Sequence, residues 1–101
     1  MKLALYPVRI AEMKVHVSGS TKKLTGNQSV VEESAATLDA LINRLDARFP
    51  GFGQRLCDSE GHINRFVHIF VNGVDVRDLQ GLQTPLVDTD ELRIVPAMAG
   101  G

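Results

Sequence analysis

The sequence predicts an α+β fold in which a mixed β-sheet packs on one main helix. Three observations carry that expectation. Apolar residues recur at spacings of three and four between Leu38 and Phe49, the period of a helix with one buried stripe. Met13-Lys14-Val15-His16-Val17-Ser18 and Phe66-Val67-His68-Ile69-Phe70-Val71 alternate instead with a period of two, the pattern of strands with one buried face. A last alternating run, Glu91 to Val95, comes close to the end of the sequence. A single one-sided helix must bury its stripe against a sheet, and 101 residues with 44% apolar content suit one small domain with one core.

The elements follow in order. Residues 1–12 hold an apolar stretch with Pro7 and precede a second methionine, Met13, where the self-consistent pattern begins. They are expected to be an N-terminal extension or a leader from an upstream start or a cloning vector, with an ordered extra strand as the competing reading. After Met13–Ser18, the segment Gly19 to Gly26 supplies turn residues and the pair Lys22-Lys23, expected to lie in a solvated loop. Gln28 to Glu33 returns as a second strand, with Val30 and Val31 as its apolar members. Ser34 or Thr37 can cap the helix that follows, because their hydroxyls can accept from free N–H groups of the first turn. Leu38, Leu41, Ile42, Leu45 and Phe49 form its stripe, and Pro50-Gly51 ends it.

Gly51 to Arg65, with Cys57 and His62, reads as irregular. Phe66–Val71 is followed by Asn72-Gly73, a hairpin turn that needs positive φ, and by a return strand Val74–Arg77. A loop with Gly81 and Pro85 leads to a turn at Asp88-Thr89-Asp90 and then to Glu91–Val95. Pro96 separates sheet from tail, since proline cannot donate to a ladder. The order β-β-α-β-β-β, with first and last strands free to pair as central neighbours, is that of a ubiquitin-like β-grasp: residues 13–96 as the domain and 97–101 as a flexible diglycine tail.

Several functions are disfavoured. Eleven basic and twelve acidic residues leave a net charge of -1, too balanced to draw the molecule onto nucleic acid or an anionic membrane. No apolar run approaches a membrane span, and there is no long apolar secretory segment, so a cytoplasmic protein is expected. Cys57 has no partner for an internal disulfide and is expected to be reduced and inert. His16, His62 and His68 are far apart in sequence, and no triad, P-loop or metal-ligand spacing is present, so neither a catalytic residue nor a metal site is expected.

What remains is the end, Pro96-Ala97-Met98-Ala99-Gly100-Gly101. Glycine carries no Cβ, so a narrow channel in another protein can admit Gly100-Gly101 and bring the Gly101 carboxylate to a nucleotide phosphate. The competing reading is a frayed end or a cloning scar. The segments Phe66–Asp75, Asp88-Thr89-Asp90-Glu91-Leu92 and Ile94–Gly101 resemble those of the ubiquitin-like sulfur-carrier proteins. That family includes the small subunit of molybdopterin synthase and the sulfur carrier of thiamin thiazole synthesis. The resemblance covers Met13 to Gly101. Within the family, Asn64–Asn72 and Pro96–Gly101 look most like the carrier of actinobacterial cysteine biosynthesis.

The resemblance implies a protein co-substrate and not an enzyme. An E1-like adenylating enzyme would use ATP to activate Gly101, and a sulfur donor would displace AMP to leave a thiocarboxylate; the carrier itself would bind no cofactor. It further implies a cysteine-synthase-like or other sulfur-acceptor enzyme, and a zinc metalloprotease to release the product. Strand parity suggests the docking surface. With Val15, Val17, Val67, Ile69, Val71, Leu92 and Ile94 facing the helix, His16, Phe66, His68, Phe70, Arg93 and Val95 face away from it. That outer face, together with Ala97, Met98 and Ala99, is expected to bind partners, unless a loop, the N-terminal extension or a homodimer covers Phe66 and Phe70. Two further classes stay open: a protein modifier that joins lysines through the same activated glycine, and a β-grasp interaction module with no chemistry at its end.

Overall fold

The computed structural model describes residues 12–96, and the expectations for residues 1–11 and 97–101 lie outside them. Five strands form one sheet: β1 (Met13–Val17), β2 (Val30–Glu33), β3 (Val67–Val71), β4 (Val74–Asp75) and β5 (Glu91–Pro96). Their order is β2-β1-β5-β3-β4. β1 and β5 pair in parallel at the centre, from Lys14 opposite Glu91 to Val17 opposite Ile94, and the other three pairings are antiparallel. This is the central pairing of first and last strands that the element order implied.

The main helix, α2 (Leu38–Arg48), crosses one face of that sheet. Thr37 is its cap: the Ala40 N–H donates to Thr37 Oγ1 at 3.2 Å. Leu38, Leu41, Ile42 and Leu45 are buried against Val15, Ile69, Leu92 and Ile94 of the sheet in one apolar core. The loop before β5 is tied to the same end of α2, since the Leu38 N–H donates to the Thr84 carbonyl and the Leu86 N–H to the Ala36 carbonyl.

Two segments expected to be loops contain helices. Ser20–Leu24 forms a short helix, α1, so Lys22 and Lys23 stand on its last turn and not in a loop. Its buried threonines are satisfied locally: Thr21 Oγ1 donates to the Ser18 carbonyl at 2.6 Å, and Thr25 Oγ1 reaches the Lys22 and Gln28 carbonyls. Phe52–Leu56 forms α3, placed by Phe52 and Leu56, both fully buried one helical turn apart. The Gly53 N–H donates to Asp46 Oδ1 at 2.9 Å and ties α3 to α2. Cys57 and Ile63 then form an isolated bridge within the segment read as irregular.

The hairpin also differs in detail. Asn72 and Gly73 both have positive φ, as their turn requires. The return strand nevertheless stops at Asp75, because Val76 dives into the core and the chain turns into a 3-10 helix over Val76–Asp78, with the Asp75 side chain accepting from the Arg77 N–H. At the far end, Pro96 is the last residue of β5, opposite Val67, and so belongs to the sheet instead of separating from it.

Candidate functional site: the outer sheet face and the exit of the last strand

Alternation along the strands sends one set of side chains to α2 and the other outward, and the pairing registers line the outward set into rows. One row runs across all five strands: Val30 opposite His16, His16 opposite Arg93, Arg93 opposite Phe70, and Phe70 opposite Asp75. Beside it, Lys14 stands between Glu32 and Glu91, and Val95 stands opposite His68. His68, Phe70, Arg93 and Val95 therefore share one face, on the side of the sheet that strand parity assigned them.

The face is less apolar than its sequence suggested. His68 and Phe70 stack with ring centroids 6.2 Å apart, and His68 Nδ1 lies 3.3 Å from Asp75 Oδ2. The Arg77 backbone N–H holds the Asp75 carboxyl below the usual carboxylate range, with His68 and the Arg77 charge adding to it against the opposing effect of burial. A depression of about 590 Å³ opens between His16, Phe70, Arg93 and the Asn72-Gly73 turn. His16 lines it, with its Nε2 buried and without a hydrogen bond; Glu91 Oε1, at 3.8 Å, is too far to supply one. The surface is thus a charged ladder around one aromatic, not a continuous apolar patch.

Phe66 is the departure from the expected strand. The Phe66 N–H donates to Asn64 Oδ1 at 2.9 Å, a side-chain turn that starts β3 one residue later. Arg77 braces the turn, donating to the Val67 and Asn64 carbonyls at 2.9 Å each. Phe66 is left 52% exposed with the Arg65 guanidinium 5.1 Å above its ring. Because Val67 is opposite Pro96, Phe66 sits where the described chain leaves the sheet. Ala97, Met98, Ala99, Gly100 and Gly101 lie outside the described residues.

Cys57 is elsewhere, in a groove of about 630 Å³ between α2 and α3. Burial, and then the charges of Asp39 and Asp58, push its thiol up and away from the reactive thiolate. Among the described residues, no group of three or more His, Cys, Asp or Glu could hold a metal ion, and no helix is long and apolar enough to cross a membrane.

A mixed five-stranded sheet with parallel central strands, one main helix across it and the last strand leaving from the middle defines a ubiquitin-like β-grasp protein. The ThiS family model matches residues 15–101, and the chain belongs to the ThiS family. The sulfur carrier protein CysO of Mycobacterium tuberculosis is 47% identical over 79 residues, covering 76% of this chain and 85% of the relative. The crystal structure of M. tuberculosis CysO superposes with a TM-score of 0.80 at 40% identity, over 85% of this chain and 99% of that one. A chain of the Amycolatopsis orientalis BexX/CysO complex gives a TM-score of 0.75 at 38% identity, over 86% and 99%. Small archaeal modifier protein 3 of Haloferax volcanii is 27% identical over 92 residues, 89% of this chain and 99% of that protein. These relatives are named as carriers and modifiers, not as catalysts.

Proposed function

We propose that this protein is a sulfur carrier whose Gly101 carboxylate is the reactive group, serving the biosynthesis of cysteine or a related thio-metabolite in the cytoplasm. The observation that carries the reading is a family match running through Gly100 and Gly101, behind a strand that exits the centre of the sheet. A carboxylate is a poor electrophile. The Gly101 oxygen therefore attacks the α-phosphorus of ATP on an E1-like adenylating enzyme, expelling pyrophosphate and forming an acyl adenylate. A sulfur nucleophile then displaces AMP to give the thiocarboxylate.

The carrier supplies no acid or base; it supplies a docking face and an arm. Phe66, His68, Phe70, Arg93 and Val95 contact first the activating enzyme and then a cysteine-synthase-like acceptor, while Ala97, Met98 and Ala99 occupy the channel that leads to each active site. A zinc metalloprotease releases the product after Gly101. ATP is consumed by the activating enzyme, and the carrier holds no cofactor.

Intact-mass spectrometry tests this on protein with a free Gly101 carboxylate, incubated with an E1-like enzyme, ATP and sulfide. An oxygen-for-sulfur mass increase that disappears when Gly101 is deleted is expected. Adenylation without that increase counts against sulfur carriage. The modifier reading, favoured by the likeness to the Haloferax protein, expects lysine conjugates in cell extract instead. No reaction at all would leave a β-grasp interaction module.

A further inference from the structure

Pro96, the last residue of β5, has its ring against Gly19, which is separated from the end of β1 by Ser18. Gly19 has φ 60 and ψ -138, a region essentially closed to residues with a side chain. A Cβ built there would lie 3.0 Å from Pro96 Cγ and 3.5 Å from Cδ. Two independent constraints, backbone conformation and close approach, therefore demand glycine at one position. The surroundings hold it in place: Ser18 Oγ donates to the Ile94 carbonyl at 3.3 Å, Thr21 Oγ1 to the Ser18 carbonyl, and the Lys22 N–H to the Gly19 carbonyl. Val67 closes the other flank of Pro96 across the antiparallel pair.

We propose that Gly19 is a positioning residue: its contact with the Pro96 ring sets the direction in which the chain leaves the sheet, and so the delivery of Gly101 to the activating enzyme. This rests on the carrier reading above. Gly19 lies beyond the end of the interior strand β1 and outside the outer-face ladder, so its effect belongs to turnover and not to docking. The methyl group of Gly19→Ala pushes the ring aside. In a Pro96→Ala background there is no ring to push.

The test measures ATP-dependent adenylation of the full chain by an E1-like enzyme, as kcat and KM, for Gly19→Ala, Pro96→Ala and the double variant. Gly26→Ala is the control. Gly26 also has positive φ, 68, but nothing within 4 Å of the added methyl group, so it carries backbone strain without the contact. Gly19→Ala is expected to lower kcat about tenfold with KM little changed, and to cost under about threefold in the Pro96→Ala background, the non-additivity of residues in direct contact. Gly26→Ala should leave kcat unchanged whatever it does to thermal stability. Equal losses from Gly19→Ala in both backgrounds, or an unchanged kcat, would overturn the proposal. Should Gly19→Ala fail to fold, Pro96→Ala alone decides: lower kcat at constant KM supports positioning, and wild-type kcat refutes it. An unreactive wild-type chain would defeat the carrier reading instead. In that event the distance between spin labels at Gln28→Cys and Met98→Cys, in a Cys57→Ser background, still decides: a shift in Gly19→Ala but not in Gly26→Ala supports the proposal, and no shift overturns it.

Discussion

Phe66→Ala separates docking from folding more cleanly than any other change on this face. An aromatic side chain offers about 200 Å² in all. With 52% of Phe66 exposed, about 100 Å² remains for a partner to cover. At about 25 cal/mol per Å² that contributes about 2.5 kcal/mol, or about 70-fold in Kd. The free protein should lose far less. The ring lies outside the core, and its stacked Arg65 is an exposed cation–π contact, which contributes only about 0.5 kcal/mol. Isothermal titration of the full chain against an E1-like enzyme, with thermal unfolding beside it, provides both readouts. The expected result is a Kd weakened by a few tens-fold with unfolding within about 0.5 kcal/mol of wild type. A Kd within about threefold of wild type in a folded variant would refute the assignment of Phe66 to the interface. A large loss of stability would show that the exposed ring packs in a way the structure does not contain.

Other perturbations test the fold and its charges. Thr37→Ala removes the hydroxyl that caps α2 and should cost about 1 kcal/mol, roughly 4–8 °C in Tm for a domain of this size by calorimetry. Asp75 is held below its ordinary value, so its ionised form stabilises the fold. That contribution is complete above about pH 4 and is lost as pH falls through the lowered folded value. Asp75→Asn should accordingly flatten the acid limb of a urea-midpoint against pH curve, and an unchanged limb would show that other carboxylates carry it. Cys57, its thiol pushed up by burial and by Asp39 and Asp58, should alkylate with iodoacetamide at neutral pH several-fold more slowly than free cysteine; equal rates would contradict that environment.

Legibility in the sequence tracked the range of the interaction. The stripe Leu38, Leu41, Ile42 and Leu45, a hydroxyl cap at Ser34 or Thr37, the Asn72-Gly73 turn and the inward face of β1, β3 and β5 were readable because each is a repeat or a motif spanning a few residues, and the structure chose Thr37 of the two caps. Parity also put His68, Phe70, Arg93 and Val95 on the outer face. The short helices were not readable: α1 and α3 are each a single turn, too brief for periodicity to register. They exist because Thr21, Phe52 and Leu56 find buried places in a core assembled by distant residues. Phe66 was misplaced for a related reason, since the Asn64 side chain and the Arg77 guanidinium, the latter from beyond the hairpin, decide where β3 begins.

The sequence by itself determined the order of strands and main helix, the buried face of each, and a diglycine segment after the last strand, because hydrophobic period and turn chemistry are local properties. Only the tertiary structure decided that Glu32, Lys14 and Glu91 stand in one row, that the predicted outer face is a charged ladder with Phe70 standing between Arg93 and Asp75, and that Gly19 meets Pro96 at the end of β5. The pairings of Lys14 with Glu91 and of His16 with Arg93, and the contact of Gly19 with Pro96, join opposite ends of the domain. The pairing register sets them, and register is a property of the assembled sheet that no single strand carries.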